Sequence, residues 1–119
     1  MVIVGDEPLV PRPADEAPRE VILCVDDEES VLAVLKEQLE HAFGEECEVE
    51  AARDGQEALA LVQGLDPDHE VLAVIIADQI MPGMNGTELL EQVSQRCPET
   101  LKILLTGQAG LDAVVYAIN

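Results

Sequence analysis

Three aspartates stand where apolar runs end. Val21-Ile22-Leu23-Cys24-Val25 leads directly into Asp26-Asp27, and the run from Val71 to Ala77 leads directly into Asp78. Each run has the length and composition of a strand buried on both faces. Strands of one parallel sheet bring their C-terminal ends to one rim, the edge where open α/β sheets keep their chemistry. Three carboxylates gathered there repel one another unless a cation joins them. The pattern points to a metal-assisted site in which Asp78 does the chemistry. Like charges nearby raise the pKa of Asp78, a bound cation lowers it again, and the three acids titrate as a coupled set. Taken singly, Asp26 reads as a helix N-cap and Asp27 as a favourable first-turn acid. Asp78 has no such plain reading, because an acid directly after an apolar strand is costly without a partner.

The elements that must position these acids follow from hydrophobic period. Strand 21–25 precedes a helix over Ser30 to Phe43, with Val31, Leu32, Leu35, Leu39 and Phe43 at helical spacing and Gly44 as its stop. Glu48 to Ala52 is a short strand, and Asp54-Gly55 a turn before a helix over Gln56 to Gln63. Asp66-Pro67 marks a loop before the central strand 71–77. The stretch from Met81 to Gly86 is a loop by its Pro and Gly content. A helix follows Thr87 and carries Leu89, Leu90 and Val93. Leu101 to Leu105 is a fourth strand, leading to Thr106-Gly107, and residues 109–118 have helical spacing. This β-α alternation builds a doubly wound parallel sheet.

Composition bounds the class. The 119 residues make one domain, with 48% apolar content to fill one core. Pro8, Pro11, Pro13 and Pro18 alternate with acids, so residues 1–19 read as an acidic, flexible arm and 20–119 as the folded domain. The 25 acidic against 6 basic residues give a net charge of -19. That charge argues against nucleic acid and anionic membrane surfaces as direct partners of this domain, since either would repel it, and favours cations and basic protein surfaces. No apolar run reaches membrane-helix length and no signal-peptide pattern opens the chain. Cys24, Cys47 and Cys97 are widely spaced and read as reduced thiols of a cytoplasmic protein.

Asp26-Asp27, the stretch Asp78-Gln79-Ile80-Met81-Pro82-Gly83-Met84-Asn85-Gly86 and Thr106-Gly107, in that order, resemble the receiver domain of two-component response regulators. The resemblance runs from about Val21 to the end of the chain. It implies a flavodoxin-like sheet of order 2-1-3-4. It also implies that Asp78 accepts a phosphoryl group from a sensor histidine kinase or phosphotransfer protein, forming an acyl phosphate that switches an output. Mg²⁺ is the implied cofactor, held directly by Asp27, Asp78 and the backbone carbonyl of Ile80, with Asp26 acting through water. Thr106 would hydrogen-bond a phosphoryl oxygen, Gly107 would leave room for the group, and Pro82 and Gly86 would shape the loop. Ile80 and Gln108 flank the expected phosphoryl position and would slow hydrolysis.

One part of the family pattern is missing: no Lys of this chain matches the family's Lys at the end of a fifth strand. Lys102 lies before the Thr, at the start of its own strand. The fifth strand and last helix are expected to be absent, so the chain is a fragment or a natural short form. The fourth strand would then be an exposed edge open to self-association. Mg²⁺ binding would persist while phosphorylation is impaired. The alternative function is a degenerate or truncated receiver acting as a phosphorylation-independent interaction domain. A haloacid-dehalogenase type phosphatase would need a second Asp where Ile80 stands. The expected role is therefore that of a signalling module, not an enzyme.

Overall fold

The computed structural model describes residues 17–106 and the backbone of a strand over 114–118. Its elements run β1 (Arg19–Val25), α1 (Glu29–Phe43), β2 (Cys47–Ala52), α2 (Gly55–Gln63), β3 (Glu70–Asp78), α3 (Gly86–Arg96), β4 (Leu101–Thr106) and β5 (Val114–Ile118). Of the expected arm, residues 1–16 lie outside the described residues. Arg19 opens β1, where its guanidinium meets Glu48 at 2.8 Å.

Strands β1 to β4 are parallel, as the alternation of elements requires, and stand in the order 2-1-3-4 that the resemblance implies. Helices cover both faces, which is why Val21 to Val25 form an unbroken apolar run. On one face α2 and α3 bury Val21, Leu23, Val25, Leu72, Ile75 and Ala77 under Leu59, Val62, Leu89 and Val93. On the other, α1 covers Ile22, Cys24 and Val49. It does so with less of itself than its spacing predicts. Leu32 is buried and Leu35 and Leu39 partly so, whereas Val31 and Phe43 are exposed. The helix lies mainly over β1 and β2, with Val74 of β3 at its edge, and this floor leaves its flanking positions uncovered.

Two expectations about the end of the chain are corrected. Residues 114–118 form a strand, not part of a helix, so the sheet has five strands in the order 2-1-3-4-5. The expected open edge is also covered, since β4 pairs with β3 on one side and antiparallel with β5 on the other. The physical reasons are local. Val114-Val115-Tyr116-Ala117-Ile118 is rich in β-favouring residues, and the flank of β4 offers a row of backbone donors and acceptors. The connection over 107–113 is too short for a parallel crossover, which takes about a dozen residues or more, so the strand returns antiparallel.

Candidate functional site

Register brings the acids together. Strand β1 pairs with β3 from Arg19 opposite Glu70, but the register shifts between Val21 and Ile22, so that Val21 faces Leu72 and Ile22 faces Val74. Ala73 is the extra residue of this bulge. Beyond it Val25 faces Ala77, and the next residues along, Asp26 and Asp78, meet at the rim. Without the bulge Asp78 would lie one residue further along. One carboxylate oxygen from each of Asp26, Asp27 and Asp78 lies within 4.8 Å of the other two.

The three acids differ in surroundings. Asp26 is buried, and its Oδ1 accepts the Glu28 N–H at 2.9 Å, ahead of α1, whose own N-cap position is Glu28. Asp27 is exposed and Asp78 half-buried. Burial raises the Asp78 pKa above the usual carboxylate value, and the charges of Asp26 and Asp27 raise it further. The backbone N–H groups of Ile80 and Gln79 pull the other way. Crowded, hard carboxylate oxygens with no His or Cys among them fit a small divalent cation such as Mg²⁺.

The loop after Asp78 is held by specific contacts. Gly83 has φ +83°, a left-handed backbone suited to glycine, and its Cα faces open space. Gly86 has a different reason to be glycine. It is the first residue of α3, and a Cβ there would collide with the backbone of Asp78 and with Leu104. Pro82 is exposed on the loop, Met81 is buried in the core, and Met84 packs against the core and over Gly55. Asn85 caps α3: its side chain accepts the Glu88 N–H at 2.9 Å, and Glu88 Oε1 accepts the Asn85 N–H at 3.0 Å. Sequence reasoning passed over this capping box, although Asn85-x-x-Glu88 signals it. It also passed over Gln79, whose Oε1 accepts both the N–H and the Oγ1–H of Thr87. No local pattern announces that contact.

Thr106 ends β4, one residue beyond Leu105, the partner of Asp78 in the sheet, and so shares the rim. Gly107 and Gln108 lie outside the described residues. Lys102 is fully buried, with Nζ donating to Thr100 O at 2.7 Å and Pro98 O at 3.4 Å. Those carbonyls precede β4, at the end of the sheet opposite the acids. The ammonium thus pins the α3–β4 connection, and Lys102 does not serve the rim.

The sequence profile of the response regulator receiver domain matches residues 22–119. The DNA-binding transcriptional regulator NtrC of Salmonella typhimurium is 37% identical over 99 residues, covering 83% of this chain but only 19% of NtrC. The signal receiver domain of an HD domain-containing protein from Pseudomonas fluorescens Pf-5 superposes with a TM-score of 0.65 at 32% identity, covering 76% of this chain and 66% of that one. The response regulator TrrA from Thermotoga maritima, in complex with Mg²⁺-BeF, superposes with a TM-score of 0.61 at 32% identity, covering 76% of this chain and 71% of that one. With its sheet order, acidic rim and this match across most of its length, the chain belongs to the response regulator receiver domains of two-component signalling.

Proposed function

We propose that Asp78 is the phosphoacceptor of this receiver, and that Asp26, Asp27, Asp78 and the Ile80 backbone carbonyl hold Mg²⁺. One observation carries the reading: the close approach of three carboxylates, one buried and one half-buried, at the C-terminal rim of the sheet. The partner is a phosphohistidine on a sensor histidine kinase or phosphotransfer protein, met in the cytoplasm. No helix among the described residues is long and apolar enough to cross a membrane.

In the transfer, an Asp78 carboxylate oxygen bonds to phosphorus as the N–P bond of the phosphohistidine breaks. The bonding pair stays on the imidazole nitrogen, which takes up a proton. Asp78 must be ionised to attack, and Asp26 and Asp27 oppose that ionisation until a cation is shared among them. Bound Mg²⁺ would offset the repulsion and neutralise charge on the transferring phosphoryl. Thr106, at the end of the neighbouring strand, would hydrogen-bond a phosphoryl oxygen. The modified receiver then switches an output.

The test is incubation with Mg²⁺ and acetyl phosphate, followed by intact-mass measurement. The expected result is a slow, incomplete gain of one phosphoryl group, because no Lys of this chain matches the family's Lys, and that gain is lost with EDTA and in Asp78→Asn. A folded wild-type chain that neither binds Mg²⁺ nor gains mass would instead favour the phosphorylation-independent interaction domain.

A further inference from the structure

Gln79 uses its backbone and its side chain to join three elements. Its N–H donates to Leu105 O at 2.9 Å, extending the β3–β4 ladder past the last strand residue. Its C=O accepts the Gly86 N–H at 3.1 Å, at the start of α3. Its side-chain Oε1 accepts the Thr87 N–H at 2.9 Å and the Thr87 Oγ1–H at 2.8 Å. The first turn of a helix has backbone N–H groups without intrahelical partners. Asn85 takes the one on Glu88 and Gln79 takes the one on Thr87. Segment 80–85 is therefore closed at its base, with Gln79 on one side and Gly86 and Thr87 on the other.

We propose that Gln79 is a positioning residue for the phosphoacceptor site: by clamping the first turn of α3 to the end of β3, it fixes the backbone from Asp78 to Ile80. This inference rests on the phosphoacceptor reading above. Successive strand side chains point to opposite faces, so Gln79 is directed to α3 and acts through its neighbours, not on the phosphoryl. The backbone that it holds carries the Asp78 carboxylate and the Ile80 carbonyl. Both Thr87 bonds are solvent-accessible and so contribute little to global stability. A small displacement of a reacting group, by contrast, costs much more in rate than in stability.

Gln79→Leu removes the acceptor at similar size, Gln79→Glu keeps it, and Thr87→Val removes one donor. Each variant of the full chain is titrated with Mg²⁺ by calorimetry and labelled by acetyl phosphate at saturating Mg²⁺, at a temperature where circular dichroism shows it folded. Gln79→Leu is expected to weaken Mg²⁺ binding and slow labelling, each by about threefold to tenfold. Thr87→Val should show a smaller loss of the same kind. Gln79→Glu should restore both, because a carboxylate accepts the same two donors at a helix N-terminus. A purely structural role would lower the melting temperature and leave the Mg²⁺ affinity of the folded protein unchanged.

Wild-type values in folded Gln79→Leu overturn the proposal, as does a Gln79→Glu variant as impaired as Gln79→Leu. Should Gln79→Leu fail to fold, wild-type behaviour of Thr87→Val in both assays overturns it too. Failure of the underlying reading looks different: the wild type itself then binds no Mg²⁺ or takes no label, or Asp78→Asn is labelled as well.

Discussion

Gly86 lies directly against the backbone of Asp78: a Cβ on Gly86 would stand 2.5 Å from the Asp78 carbonyl oxygen. It would also stand 2.6 Å from Leu104 Cδ1. The end of β3 and the start of α3 are thus in contact with no room for a methyl group. Gly86→Ala should cost about 1–3 kcal/mol through overpacking, read by urea denaturation, and should weaken Mg²⁺ binding as the strand end shifts. Unchanged stability with unchanged Mg²⁺ affinity would show that the contact relaxes freely.

The raised Asp78 pKa has a definite sign in stability. The unfolded carboxyl ionises at its ordinary value, whereas the folded one keeps its proton to higher pH. Without metal, the contribution of Asp78 to stability is therefore greatest below the unfolded pKa and is lost as pH rises through the raised folded value. At pH 7 without Mg²⁺, Asp78→Asn should melt above the wild type, and saturating Mg²⁺ should remove that advantage. Glu50, raised chiefly by its hydrogen bond to Glu48 and next by burial, acts in the same direction, so the difference between the two profiles isolates Asp78. A wild type that melts above Asp78→Asn in EDTA would contradict this electrostatic account.

Cys24 is completely buried, its Sγ lies 3.4 Å from Glu50 O, and burial pushes its pKa up to about 11. Since the thiolate is the reactive form, Cys24 should be alkylated last in the native protein, after the partly exposed Cys47 and Cys97. Timed labelling with iodoacetamide and peptide mapping measures the order. Early modification of Cys24 would mean that β1 opens locally under native conditions.

Asn85→Ala removes the side-chain half of the α3 capping box and should cost about 0.5–2 kcal/mol. Asn85→Asp keeps the acceptor and adds a charge favourable to a helix N-terminus. It should therefore melt at or above the wild type at neutral pH. Equal melting temperatures for Asn85→Ala and the wild type would assign the cap no energetic role.

Much of the candidate site was legible before the fold because it rests on local sequence signals. Apolar runs ending in Asp26-Asp27 and Asp78 read as buried strands with acids at their tips. The Gly and Pro content from Met81 marks a loop, which ends at Asn85 where α3 is capped. Gln79 was not legible, because its partner Thr87 lies on another element and an amide beside a strand end has many uses. Gly86 was marked for the right position and the wrong reason: closeness to Asp78, not backbone freedom, is what demands a glycine. Residues 114–118 were misread because Val114, Val115 and Ile118 fit a helical spacing as well as a strand, and the choice rests on which neighbour is available.

The order of elements from β1 to β4, the burial of β1 and β3 on both faces, and the placing of three acids at strand ends were legible in the sequence alone. They depend on local composition and on the handedness rules that parallel strands obey. Tertiary structure decided the alignment. The bulge at Ala73 slides β3 by one residue against β1, so that Asp26 meets Asp78 at the rim. It also decided that β4 is covered by β5, because a free strand edge takes whatever β-favouring segment can reach it. Register and edge pairing are relations between distant segments, and no window of sequence contains both partners.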